Sequence, residues 1–173
     1  MGQSQNTHSR DISNGLLVYA TDQTGVKVCN QGDIVCWKST LNGSKGGVEQ
    51  VALPADMSTY AGIATQNSIL TSLNDVLYTV MVAFKNVFLL KTVAGDTLKH
   101  GDAVYLYDSG GTITDAQTIT NTQPSDATVV VGYVVLPQEQ IMNGVLSITG
   151  GTGTTAPIAI GPVQFPVAGK LLA

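Results

Sequence analysis

Short apolar runs separated by turn residues recur along most of this chain, and few are regular enough for a helix. Leu16-Leu17-Val18-Tyr19 opens the pattern. Val26-Lys27-Val28-Cys29 alternates apolar and polar positions, and Gly32-Asp33 then turns the chain into Ile34-Val35-Cys36-Trp37. A loop with three glycines spans 42–47, and 48–53 resumes as a strand closed by Pro54-Ala55-Asp56. Farther on, 103–107 reads as a strand, Asp108-Ser109-Gly110-Gly111 as a tight turn and 112–114 as its return. An exposed loop follows at 121–126, and then a long Val-rich strand at 128–136.

The runs repeat. Gly32-Asp33-Ile34-Val35 returns as Gly101-Asp102-Ala103-Val104, 69 positions later. Ala61-Gly62-Ile63-Ala64 is echoed 70 positions on by Val131-Gly132-Tyr133-Val134, and Asn74-Asp75-Val76-Leu77 by Asn143-Gly144-Val145-Leu146. Three echoes at offsets of 69 or 70 predict two copies of a small β unit, each opened by a Gly-Asp turn.

The repeat also decides the ambiguous stretch 67–93. Leu73, Val76, Leu77, Val80, Phe84, Val87 and Phe88 suit one helical face, yet Val76, Tyr78, Val80, Val82 and Phe84 are β-favouring and alternate. The aligned second copy, running to Gly150-Gly151, is poor helix. Strands are therefore expected at 76–84 and 87–93 around a Lys85-Asn86 turn, with room for a short helical turn at 66–73.

The ends differ from the body. Residues 1–14 are almost wholly polar and read as a flexible N-terminal arm. From 149 onward Gly, Thr and Pro dominate, and Pro157, Pro162 and Pro166 forbid a helix, which leaves a C-terminal strand or arm at 149–173. The expected architecture is all-β: a small barrel or sandwich of two related units, 15–93 and 94–148, with extended N- and C-terminal arms.

Charge narrows the function classes. Only 12% of residues are charged while 43% are hydrophobic, so part of this low-charge surface is expected to be covered by a partner or a sister subunit. The net charge is −4 and the eight Lys and Arg are scattered, which argues against nucleic acid. The longest apolar stretch, 76–90, is interrupted by Lys85 and Asn86 and is too short for a membrane helix. The N-terminus lacks the apolar core of a signal peptide, and Asn6 breaks a myristoylation motif, so use without export is expected. Cys29 and Cys36 are spaced too widely for a zinc or redox pair and are expected as reduced, half-buried thiols flanking a turn.

Candidate chemistry is sparse. The two histidines are His8, in the polar arm, and His100, which with Asp102 imitates half a triad, but a spacing of two within a tight turn suits solvation better. Asp33, Asp102, Asp108, Asp115 and Asp126 all fall in or near turns, where a carboxylate bonds nearby backbone N–H groups. Gly150-Gly151-Thr152-Gly153-Thr154-Thr155 lacks the Gly-Lys-Ser/Thr ending of a phosphate loop and precedes Pro157, not a helix. Trp37, Tyr60, Tyr105, Tyr107 and Tyr133 offer a sugar-stacking platform or, as strand aromatics usually do, core and interface. No catalytic, cofactor or metal residues are expected, and the chain reads as a non-enzyme.

From 93 to 148 the chain carries a recognisable series. Ala94-Gly95-Asp96-Thr97-Leu98-Lys99-His100-Gly101-Asp102-Ala103-Val104-Tyr105-Leu106 is followed by Gly111-Thr112-Ile113-Thr114, Val131-Gly132-Tyr133-Val134 and Gly144-Val145-Leu146-Ser147-Ile148. This resembles the small β-rich decoration, or cement, proteins of tailed bacteriophages, over about a third of the chain. The lipoyl-bearing barrels also use Gly-Asp-x-Val turns, but their Asp-Lys-Ala hairpin tip is missing here. The resemblance implies a homotrimer on the capsid exterior, made in the host cytoplasm, that clamps neighbouring major capsid protein subunits. It further implies that the arms grip the shell, with Ser9, Arg10, Asp11 and Ile12 in one and Phe165 and Val167 in the other as contacts. The alternative is a virion-borne carbohydrate- or receptor-binding β module that uses Trp37 and the tyrosines.

Overall fold

The computed structural model describes residues 15–20, 29–39, 46–72, 77–83, 85–109, 113, 117–124 and 129–161. In chain order the strands are β1 (Gly15–Ala20), β2 (Ile34–Lys38), β3 (Gly47–Gln50), β4 (Tyr60–Ala64), β5 (Ile69–Ser72), β6 (Leu77–Ala83) and β7 (Asn86–Lys91). They continue with β8 (Thr97–Lys99), β9 (Ala103–Leu106), β10 (Ile119–Thr120), β11 (Gly132–Val134), β12 (Ser147–Thr149) and β13 (Thr155–Ile160). A 3-10 turn at Pro54–Thr59 and a helix α1 (Gln138–Met142) complete the elements.

The fold is all-β, built from two curled antiparallel sheets that form half-barrels. The first runs β1-β3-β2-β4-β6-β5, and β1 returns to pair with β6. The second runs β10-β9-β11-β13-β7. Strands β8 and β12 form a separate two-stranded ladder.

The two units are copies at the level of single hydrogen bonds. In the first, Val35 pairs with Gly62 and Ile34 with Ile63; in the second, Val104 pairs with Gly132 and Ala103 with Tyr133. The Asp33 carboxylate accepts the Asn30 N–H at 2.7 Å, and the Asp102 carboxylate accepts the Lys99 N–H at 2.8 Å. Gly32 donates to the Ala64 carbonyl and Gly101 to the Val134 carbonyl, at 2.8 and 2.9 Å. Gly32 and Gly101 have φ of 91° and 88°, the left-handed conformation that the Gly-Asp turn requires. Each curled sheet also brings its edges together at one parallel pair, Ala20 with Val48 and Thr92 with Ile119.

These matches assign β7 and β13 to the second sheet, as counterparts of β1 and β6. Their sheet membership differs from a division at 93/94 and 148/149. Residues 155–160 lie inside the sheet, between β11 and β7, despite Pro157. The proline carbonyl accepts the Val135 N–H at 2.9 Å just past the end of β11, so the missing donor falls where the ladder is already ending.

Of the third sequence echo, Asn74, Asp75 and Val76 lie outside the described residues, and Leu77 and Leu146 do not correspond. Strand β6 corresponds to β13, because Ala83 and Val82 face Ile63 and Ala64 as Ala159 and Ile158 face Tyr133 and Val134. The segment around 143–146 belongs instead to a longer β11–β13 connection that holds α1 and β12. Three further expectations differ. Residues 69–72 are strand, not a helical turn. The partner of β9 is β10 at 119–120, and Ile113 lies in no strand, its N–H donating to the Ala52 carbonyl. Among the described residues of the Val-rich stretch, strand is confined to 132–134, and α1 is too short for helical periodicity to reveal.

Two core clusters divide the interior. Cys29, Val35, Val48, Ala61, Ala64, Val80 and Val82 fill the first half-barrel with small side chains. The larger cluster joins Ile34, Cys36, Val51, Met57 and Ile63 of the first unit to Leu90, Val104, Leu106, Ile119, Val134 and Ile158 of the second. Alternation along β2 explains the split: Val35 points into its own sheet, while Ile34 and Cys36 point into the shared core. Gln117 pins the junction. Its amide oxygen accepts the Ile34 N–H at 2.7 Å, and its amide nitrogen donates to the Ile34 and Val51 carbonyls, both at 3.0 Å.

The repeated glycines are required by a repeated close approach. A Cβ on Gly62 would lie 2.2 Å from the Ala83 carbonyl oxygen, and one on Gly132 would lie 2.4 Å from that of Ala159. Gly132→Ala is expected to lower stability by about 2–3 kcal/mol through overpacking against backbone. Gly62→Ala should cost roughly 1 kcal/mol more, because φ at Gly62 is +139°. Urea unfolding of both variants measures the difference.

Candidate functional site

The described surface offers apolar patches more than reactive groups. Strand β7 is apolar on both sides: Phe88 and Leu90 turn inward, while Val87 and Leu89 point out, 52% and 71% exposed. Across the sheet, register places Ala103, Tyr133, Ala159 and Val87 in one outward row, with Pro157 and Leu89 in the next. Tyr105 lies on the same side of β9, two residues from Ala103, and Tyr107 follows just past the strand end. The face thus runs from half-buried aromatics through the buried Ala159 to the exposed Val87 and Leu89.

A second patch caps the β11–β13 connection. Pro137 precedes α1 with an extended backbone, and Gln138, Glu139 and Gln140 are ordinary helix formers. The helix ends at Asn143 and Gly144, the latter at φ 78°. Around that turn Met142, Val145 and Leu146 stand exposed, Met142 at 78% and Leu146 at 60%. The turn is anchored, since Val145 donates to the Gln140 carbonyl and the Leu146 carbonyl accepts the His100 N–H.

Polar candidates are largely occupied by the backbone. His100 Nδ1 accepts the Leu136 N–H at 3.1 Å. Asp102 accepts from Lys99 N–H and from the Asn121 amide at 3.2 Å. Both residues of the suspected half-triad therefore serve turns. Asp33 holds its own turn, and Asp115 and Asp126 lie outside the described residues, as do His8 and the arm residues Ser9, Arg10, Asp11, Ile12, Phe165 and Val167. In the glycine-rich loop, Gly150 exchanges backbone bonds with Gly95 and Asp96, so those amides face the chain and not a phosphate. The aromatics do not form one platform. Trp37 is exposed on β2, Tyr60 is half-buried with its hydroxyl 3.4 Å from the Val131 carbonyl, and Tyr105 and Tyr133 sit on neighbouring strands of the other sheet.

One ionic cluster stands out. Lys38 lies 2.5 Å from an Asp56 oxygen and 3.2 Å from a Glu49 oxygen, beside Cys36. Asp56, at the start of the 3-10 turn, also accepts the Ala52 and Leu53 N–H groups at 3.2 and 3.0 Å. Burial alone would push its pKa up, but Lys38 and the two N–H groups outweigh that and hold the carboxyl below its ordinary value. Hydrogen bonds to Asp56 first, and also to Glu49, push the Lys38 ammonium above the usual lysine range against the effect of burial. Donor atoms of Cys36, Glu49 and Asp56 lie within 4.8 Å of one another, the proximity of a metal site. The donor set suits an ion poorly: Lys38 already pairs with both carboxylates, and burial followed by the nearby Asp56 charge pushes the Cys36 thiol up to about 12. The arrangement is an ion pair that closes the β2–β3 edge.

Both cysteines are free and fully buried, not half-buried, and they belong to different core clusters. Cys29 is likewise pushed up to about 12, first by burial and then by Asp33.

Val87 and Leu146 fall in the apolar patterns of the sequence, but no motif marked them, Leu89 or Met142 as exposed surface. The available signal was β7 itself: a strand apolar on both faces, in a unit with only one sheet, leaves one of those faces bare.

No family model matches this chain, and no curated protein or solved structure matches it.

Two outcomes follow from the buried polar groups. Because Asp56 binds its proton more weakly folded than unfolded, its contribution is complete above about pH 4 and is lost as pH falls below that value. Asp56→Asn should cost about 1–3 kcal/mol at neutral pH and flatten the acid limb of stability, read by urea unfolding at several pH values. The thiols should ignore a disulfide reagent at pH 8 while the protein is folded and react fully in denaturant; rapid labelling of the native protein would contradict their burial.

Proposed function

We propose that this chain is a structural virion protein. It binds the outer surface of a tailed-phage capsid as an oligomer, in the simplest form a homotrimer, and stabilises the major capsid lattice. The observation that carries the reading is the pairing of exposed apolar patches with turn acids and a histidine already engaged by backbone. Such a surface is suited to being covered by protein. The phage assignment itself rests on the resemblance of 93–148 to cement proteins.

The α1 tip is the described element we assign to the capsid. It lies in a connection longer than its counterpart in the first unit, so the half-barrel architecture does not need it, yet it exposes Met142, Val145 and Leu146 together. Binding only to the assembled lattice stabilises that lattice by mass action, with no catalytic step.

Co-sedimentation with expanded empty capsids tests the reading. The protein should pellet with the shells and raise their melting temperature. Leu146→Asp should weaken binding by about tenfold or more, as expected for losing one buried leucine contact. No pelleting with capsids that lack other decoration would overturn the reading. Glycan binding that disappears in Trp37→Ala would favour the carbohydrate-binding alternative.

A further inference from the structure

We infer that His100 is the clasp of the α1 tip and makes docking of the tip depend on pH: the neutral imidazole holds the tip in place, and protonation releases it. The inference rests on the reading of the α1 tip as the capsid contact and adds the condition under which that contact forms.

The excursion between β11 and β12 is fastened to the body at both ends by this one residue. At its entry the Leu136 N–H donates to His100 Nδ1 at 3.1 Å. At its exit the His100 N–H donates to the Leu146 carbonyl at 3.1 Å, one residue beyond the Lys99–Ser147 pair of the β8–β12 ladder. Between those points the backbone bonds of 137–145 to described residues are internal. Gln140 and Ile141 donate to Pro137, Asn143 to Glu139, Gly144 to Ile141 and Val145 to Gln140. Ile141 adds a partly buried apolar contact with the shared core, so His100 supplies the polar attachment.

The first unit carries Gln31 at the equivalent position, before its own Gly-Asp turn. There the backbone N–H is met by the Asn67 side chain at 2.8 Å, within the short β4–β5 connection. An amide side chain does not titrate, whereas imidazole changes charge between about pH 5 and 8. The second unit thus places a titrating group where its longer connection departs.

To accept from Leu136, Nδ1 must keep its lone pair, which leaves the ring proton on Nε2. A second proton turns Nδ1 into a donor facing a donor, and the bond is lost. Leu136 is only 2% exposed, so its N–H finds little water in exchange. His100 itself is exposed, within reach of solvent protons. Lys99 and Asp102 flank the imidazole in its own turn, and Glu139 lies in the first turn of α1. Asp102 is engaged by the Lys99 N–H and the Asn121 amide. Strands β11 and β12 and residues 143–146 carry no charged side chain, and Tyr133 is the titratable group of β11.

NMR of the full chain between about pH 8 and 5 tests the clasp. The Leu136 amide and the Met142 methyl should move with the midpoint of the His100 ring, while circular dichroism holds constant. In His100→Asn, whose Oδ1 can accept from Leu136 without titrating, that joint movement should disappear, as it should in His100→Gln, which copies the first unit. Wild-type co-sedimentation with expanded empty capsids should weaken about tenfold between pH 7.5 and 5.5, the loss of roughly one hydrogen bond. His100→Asn should weaken much less over the same interval. Leu136 and Met142 signals that stay flat while His100 titrates, or equal wild-type pelleting at both pH values, would overturn the inference while capsid binding stands. Joint titration in a protein that never pellets would support the clasp and overturn the capsid reading alone.

Discussion

The second curled sheet, whose edge strands touch at one residue pair, does not seal its own interior, and this shapes the whole molecule. In the second unit the side chains inside the curl are large, among them Leu90, Leu106, Ile119 and Ile158. The first unit meets that opening with its own outward residues, Ile34, Cys36, Ile63 and Met57. The result is a core that belongs to neither unit alone. Gln117 makes the junction specific: in the half-buried gap it acts as a surrogate strand, satisfying an N–H and two carbonyls with one side chain.

The two copies keep what their backbones need and diverge where packing differs. Gly-Asp turns, the Val–Gly pairs and the close approach of Gly62 and Gly132 to a neighbouring carbonyl are retained, because any side chain there would collide. The interiors have separated. The first is lined by valine, alanine and a thiol, matching a narrow curl closed by the six-residue β1–β6 ladder. The second uses leucine and isoleucine because it must also receive residues from its sister.

Much of this was legible in the chain. Alternating apolar runs gave the fold class, and two of the three echoes marked equivalent strands with the correct register. The third misled because Asn143-Gly144 is a helix C-terminus, while Asn74-Asp75 lies outside the described residues. Turn chemistry looks alike whatever it connects. Residues 155–160 were expected only as a strand or an arm, since glycine, threonine and proline blur a strand whose inward positions are Ala156, Ile158 and Ile160. The apolar surface was hidden for the opposite reason: hydrophobicity along β7 does not say which face is covered.

The same reasoning bears on why charge is so scarce. In the Lys38–Asp56–Glu49 cluster three of the chain's ionic groups satisfy one another at a strand edge, and Asp33 and Asp102 satisfy turns. A monomer that exposed Val87, Leu89, Met142 and Leu146 with so few charges would be prone to indiscriminate association. In the proposed reading, partners of defined shape cover both patches and remove that hazard. A surface of this kind, on a scaffold whose polar groups are tied to its own backbone, is suited to holding other protein in place.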